Sequence, residues 1–92
     1  MTCKIIYSSK FKKELKKCYK RGLDVEKLRE VLKILEHGST LPSEYKAYKL
    51  SGKFHGNWEC HVQPDWLLIW EQRDDELILL LIDTGSHSDI FG

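Results

Sequence analysis

Residues 57–82 read NWECHVQPDWLLIWEQRDDELILLLI, and three strands can be traced through them. Successive side chains on an extended chain point to opposite faces. From Asn57 to Val62 this puts Trp58, Cys60 and Val62 on one side and Asn57, Glu59 and His61 on the other. Pro64-Asp65 is a turn signal, and Trp66–Trp70 reads as the next strand. Asp74-Asp75-Glu76 marks a second turn. Leu77–Ile82 is uniformly apolar and predicts a central strand buried on both faces. Connections this short join neighbouring strands antiparallel, so the stretch predicts a meander.

Upstream the apolar period changes from two to that of helices. Lys4–Tyr7 is a short strand candidate. Ser8 or Ser9 can cap a helix running to about Arg21, with Phe11, Leu15, Cys18 and Tyr19 on one stripe. Lys10, Lys12, Lys13, Lys16, Lys17 and Lys20 fill its other faces. Gly22 suits the left-handed residue that ends a helix. Asp24 then caps a second helix bearing Val25, Leu28, Val31, Leu32 and Leu35, which Gly38 closes. The short link between the two makes a helical hairpin. Residues 41–53 read as loop, anchored by Tyr45, Tyr48 and Leu50. The tail from Asp83 to Gly92 is too polar and glycine-rich to be expected as strand. The predicted fold is α+β in one domain, residues 1–92: an N-terminal strand, a two-helix hairpin, then an antiparallel sheet with the helices on one face.

Composition narrows the class. At 92 residues, with 41% hydrophobic and 32% charged, the chain suits a single packed core. Disordered and collagen-like classes are excluded. Leu77–Ile82 is too short to span a bilayer. The net charge of +1 conceals an asymmetry. Residues 1–53 hold fourteen basic and six acidic residues, a net +8, whereas residues 54–92 hold one basic and eight acidic residues, a net −7. Such a split suits an anionic partner for the lysine-rich face, or a solvated helix. Three cysteines, Cys3, Cys18 and Cys60, are widely spaced and odd in number, which argues against a disulfide framework. Residues 3–11 lack the apolar stretch of a signal peptide. A reduced, cytoplasmic protein is expected, with no membrane partner.

His61 lies two residues from Glu59 and on the same side of its strand, with Asp65 in the following turn. His87 stands between two serines in the tail. Two imidazoles near carboxylates are what general acid–base chemistry requires near neutral pH; a strand histidine beside an acid also serves as a plain surface pair. Cys60 and His61 point to opposite faces, so they do not readily share a metal, and no metal-ligand spacing is present. Trp66, beside Asp65, is either a base-stacking platform or a packing aromatic.

Together, Leu50-x-Gly52, the block Glu59-x-His61-Val-x-Pro64-Asp65-Trp66, and Thr84-Gly85-Ser86-His87-Ser88-Asp89-Ile90-Phe91 resemble the YafQ branch of the RelE superfamily. These are toxins of type II toxin–antitoxin modules. The resemblance implies a RelE-like microbial ribonuclease fold and metal-free, cofactor-free cleavage of mRNA in the ribosomal A site through attack of the 2′-hydroxyl. It implies catalytic roles for His61, Asp65 and His87, a carboxylate at Glu59 and a substrate-holding aromatic at Phe91. Trp66 and Tyr48 become RNA-contact candidates, along with Lys49 and Lys53 in the loop and Lys13, Lys16 and Lys17 on the first helix. The implied partners are the ribosome with its mRNA and an antitoxin of the DinJ/RelB kind in a heterotetramer. Operator DNA would be met only through the antitoxin. Two positions depart from the family pattern. Tyr48 stands where a further histidine is expected, and Asp83 stands where the family places an arginine. An aspartate there would repel phosphate, so lysines 46, 49 and 53 are candidates for the missing cation. The departure also admits a weakened toxin acting mainly as an antitoxin-binding co-repressor.

Overall fold

The computed structural model describes residues 2–92. Strand β1 (Lys4–Tyr7) leads into helix α1 (Ser9–Lys20) and helix α2 (Val25–Glu36), followed by a two-residue strand β2 (Tyr48–Lys49). Strands β3 (Trp58–Gln63), β4 (Trp66–Arg73) and β5 (Ile78–Gly85) complete the sheet, and a short helix α3 (His87–Phe91) ends the chain. The α+β class, the hairpin and the meander are as the sequence predicts.

Local chemistry sets the helix ends. The Ser8 hydroxyl accepts from the Phe11 amide at 3.0 Å, and Asp24 Oδ1 accepts from the Glu26 amide at 3.0 Å. Each satisfies a donor that the first helical turn leaves free. Gly22 and Gly38 follow the two helices at φ +85° and +74°, in the left-handed region where a side chain is disfavoured. Phe11, Cys18, Leu28, Val31 and Leu35 are buried against Cys60, Val62, Trp66, Leu68, Trp70, Leu79 and Leu81. Both helices therefore cover one face of the sheet. Tyr19 does not join that stripe; it is 70% exposed, because Phe11, Leu15 and Cys18 already fill the contact.

The strand order is β1-β5-β4-β3-β2. β2 through β5 pair antiparallel, and β1 adds to β5 in parallel, Lys4 opposite Ile78 and Tyr7 opposite Leu81. The middle position belongs to β4, whose residues Trp66–Trp70 are all buried. The other face has its own small core of Phe54, Leu67, Ile69 and Ile90, with Leu50 and Ile82 packed against it.

Two stretches differ from the sequence reading. β5 begins at Ile78 because Leu77 turns the chain at φ +53°, and it runs on through Asp83 and Thr84 to Gly85. Polar residues are held there by partners, not by strand propensity: Thr84 Oγ1 donates to the Leu67 carbonyl at 2.7 Å and Lys10 Nζ lies 3.2 Å from Asp83 Oδ2. The loop before β3 also supplies the short edge strand β2.

Candidate active site

The sheet's register lines up the candidate residues. Tyr48 pairs with Glu59, Glu59 with Ile69 and Ile69 with Asp83; His61 pairs with Leu67 and Leu67 with Gly85. Leu67 and Ile69 face the small core, so Tyr48, Glu59 and His61 lie on the sheet face turned away from α1 and α2. Strands lie about 4.8 Å apart, which puts His61 roughly 10 Å across the sheet from Gly85. Just past Gly85 the chain turns at Ser86 into α3, which begins with His87.

The β3–β4 turn ties the two histidines to one point. His61 Nδ1 lies 3.2 Å from the Pro64 carbonyl oxygen. A proton on Nδ1 donates to that carbonyl and leaves Nε2 free to take a proton. The next residue, Asp65, accepts the His87 backbone amide on Oδ1 at 3.1 Å. His87 and Asp65 are both exposed, and His61 is partly so.

Glu59 is wholly buried, although alternation places it on the polar face of its strand with His61. Its Oε1 accepts from the Tyr48 hydroxyl at 2.6 Å and stands 3.9 Å from His61 Nε2; its Oε2 is buried with no partner among the described residues. A buried oxygen without a partner costs on the order of 1–3 kcal/mol, a strain typical of functional positions. The hydrogen bond to Glu59, helped by desolvation and the carboxylate's charge, pushes the Tyr48 hydroxyl above its ordinary value. Tyr48 is therefore a donor at neutral pH and not a base.

An aromatic run continues from His87. Its ring centroid is 5.0 Å from that of Phe91, which meets Phe54 edge-on at 5.8 Å. Lys53 Nζ sits 5.3 Å from the Phe54 centroid. Lys53 thus borders the histidine face. Lys49 does not: it pairs with Trp58 and lies 5.6 Å over that ring, on the side packed by the helices. Lys13, Lys16 and Lys17 are exposed on α1, and Lys17 bridges Glu14 at 3.3 Å.

Trp66 must be corrected. It is 1% exposed, and its indole nitrogen donates to Thr84 Oγ1 at 2.8 Å. It packs under the helices and offers no face to a base. Asp83 is buried too. Its Oδ1 accepts the Thr84 amide at 2.9 Å and its Oδ2 meets Lys10, so its charge is compensated inside the protein.

Sequence reasoning passed over two features. Ser86 and Asp89 form a reciprocal capping box at the start of α3, a pattern that their spacing does signal. Arg21 grips Asp89 with both guanidinium nitrogens, at 2.5 and 3.0 Å; no local signal marks a pair 68 positions apart. Among the described residues, no three His, Cys, Asp or Glu side chains gather as a metal site.

The sequence and the fold match a known family. The model of the bacterial toxin of type II toxin–antitoxin system, YafQ, matches residues 3–92. The chain belongs to the YafQ toxin family. It is 36% identical over 89 residues to the mRNA interferase toxin YafQ of Escherichia coli K12, covering 96% of this chain and 95% of that one. The crystal structure of YafQ from E. coli BL21(DE3) superposes with a TM-score of 0.91 at 34% identity, covering 98% of this chain and 99% of that one. YafQ in the E. coli DinJ–YafQ toxin–antitoxin complex superposes with a TM-score of 0.90 at 34% identity over the full length of both chains. The YafQ fold is thus kept with Tyr48 and Asp83 in place, since register and burial accommodate both.

Proposed function

We propose that this YafQ-family chain is a metal-independent, ribosome-dependent endoribonuclease that cuts mRNA in the A site. The reading is carried by the β3–β4 turn, which binds the His61 ring and the His87 amide to neighbouring residues on one sheet face. In the proposed reaction a base on that face, the His61 imidazole or the Asp65 carboxylate, takes the proton of the ribose 2′-hydroxyl. The 2′-oxygen attacks the adjacent phosphorus, and the P–O5′ bond breaks. His87 gives its proton to the leaving 5′-oxygen. The products are a 2′,3′-cyclic phosphate and a 5′-hydroxyl. An acid and a base of imidazole type suit this chemistry near pH 7. Glu59 Oε1 lies 3.9 Å from His61 Nε2 and is itself held by the Tyr48 hydroxyl, which keeps a carboxyl group beside the His61 ring. Phe91, 44% exposed beside His87, is placed to stack on the substrate base. Lys53 supplies the cation for the phosphate.

Exposed lysines 13, 16 and 17 on α1 make a salt-sensitive contact with ribosomal RNA in this reading. The complex of the E. coli relative supports a DinJ-type antitoxin as the neutralising partner. A heterotetramer, contact with operator DNA through the antitoxin alone, and a cytoplasmic location complete the proposal. The alternative of a weakened toxin acting as co-repressor drew its force from Asp83, and the Lys10 ion pair supports the catalytic reading instead.

The test is induction of the chain in cells carrying a reporter mRNA. Cleavage within the translated frame, abolished when the start codon of the reporter is removed, is expected. Growth arrest without cleavage, or cleavage that ignores translation, overturns the proposal.

A further inference from the structure

Helix α3 carries His87 and Phe91, yet it has five residues. An isolated helix shorter than about 12 residues is marginal in water. Its order must come from what holds it. Three anchors are visible. Ile90 is buried in the small core, Asp65 accepts the His87 amide, and Arg21 clasps Asp89. The last anchor alone reaches across to the helical layer. Arg21 is the residue that closes α1, and α1 is fixed on the sheet through Phe11, Leu15 and Cys18.

The clasp is bidentate and geometrically constrained. Guanidinium Nη1 and Nη2 donate to Asp89 Oδ2 and Oδ1 respectively, a fork-to-fork pairing that resists rotation of either group. Asp89 Oδ2 also accepts the Ser86 amide at 2.9 Å, which sets the first turn of α3. At Gly85 the backbone sits at φ +151°, and a Cβ there would stand 3.0 Å from both Cβ and Oδ2 of Asp89. The carboxylate is thus wedged between the strand end and the arginine, two residues past His87 and two before Phe91.

Building on the catalytic reading, we propose that Arg21 is a positioning residue for this reaction. Through Asp89 it sets the angle at which α3 presents the His87 imidazole and the Phe91 ring. Arg21 therefore acts on turnover and not on RNA docking, although it lies at the end of the lysine-rich helix. A misplacement of a catalytic group by about 1 Å is enough to cost up to a hundredfold in rate.

Arg21→Gln and Asp89→Asn separate this role from a phosphate contact, because they remove charges of opposite sign. Asparagine at 89 still accepts from the Ser86 amide, so the cap survives. On the positioning role, both variants lower kcat by about tenfold while KM for programmed ribosomes stays within about twofold, and Arg21→Lys falls between them and the wild type. If Arg21 instead contacts RNA, Arg21→Gln raises KM and reduces the salt dependence, and Asp89→Asn tightens binding; that result overturns the proposal. NMR of the free protein gives a readout independent of any cleavage. The cross-peaks between the His87 and Phe91 rings weaken, and the amides of Ile90 and Gly92, which donate to the Ser86 and Ser88 carbonyls, exchange faster, in both variants while the melting temperature of the core holds. Unchanged cross-peaks and exchange overturn the proposal as well. Should the wild type fail to cleave mRNA, the NMR arm still decides whether Arg21 orders α3, so the two readings fail separately.

Discussion

Replacing Trp66 with phenylalanine distinguishes a packing role from RNA recognition with one substitution. The indole is 1% exposed within the helix-side core, and its nitrogen donates to Thr84 Oγ1 at 2.8 Å. Phenylalanine keeps an aromatic ring but removes that donor. The Thr84 hydroxyl retains its bond to the Leu67 carbonyl at 2.7 Å, so the lost hydrogen bond costs only about 1 kcal/mol. The missing part of the indole removes buried area and leaves a small void, adding about 1–3 kcal/mol. The sum of about 2–4 kcal/mol corresponds to a melting temperature lower by roughly 10–25 °C in a domain of this size. Thermal unfolding followed by circular dichroism measures the shift. Cleavage by the variant at 15–20 °C, below its transition, should then remain within about twofold of wild type, since no substrate group reaches this side chain. A variant with unchanged melting temperature and weakened RNA binding would refute the packing role.

Other outcomes follow from the same geometry. His87→Gln keeps a polar side chain at the start of α3 but cannot donate a titrating proton; cleavage should fall by about 10²–10⁴ while the melting temperature stays put, and a fully active variant removes His87 from the acid role. Lys53→Ala should lower kcat by about ten- to a hundredfold, whereas Lys49→Ala, on the helix-side face, should leave it nearly unchanged; equal effects would show that facing does not matter. The Arg21 guanidinium, with the Ser86 amide and hydroxyl, holds the Asp89 carboxyl well below its ordinary 3.8. A depressed carboxyl contributes stability that is present above its unfolded value and is lost as pH falls through the folded one. Protection of the α3 amides, taken relative to their intrinsic exchange at each pH, should therefore be steady from pH 7 to about 5 and fall at lower pH, with Asp89→Asn already weakly protected at pH 7 and flat; parallel profiles would refute the link.

Much of this was legible from local pattern. The alternation at Trp58–Val62, the turn at Pro64-Asp65 and the apolar β4 and β5 segments predict the meander because each signal is carried by adjacent residues. Ser8, Asp24, Gly22 and Gly38 mark the helix ends for the same reason. The histidines, with Asp65 and Phe91, were visible as a motif. Alternation misled where both faces of a strand are covered. It assigned Glu59 to a polar face, yet Phe54, Leu67, Ile69 and Ile90 build a second core on that face. The tail misled because polarity was taken to exclude a strand, while Asp83 and Thr84 find partners from distant parts of the chain and extend β5 to Gly85.

By itself, then, the order of residues determined what is local: most element types, caps, turns, the helical hairpin and the residue chemistry of the candidate site. Tertiary structure decided which of those residues share a face, and which charges remain free. Pairing across the sheet brought Tyr48 to Glu59 and turned Lys49 away from His61. Folding α1 along the sheet set Lys10 on Asp83 and Arg21 on Asp89, pairs 73 and 68 positions apart. Contacts of that range arise only when the core closes and leave no periodic trace in the chain, so the acid at position 83 reads as a flaw in the sequence and as a paired, buried group in the fold.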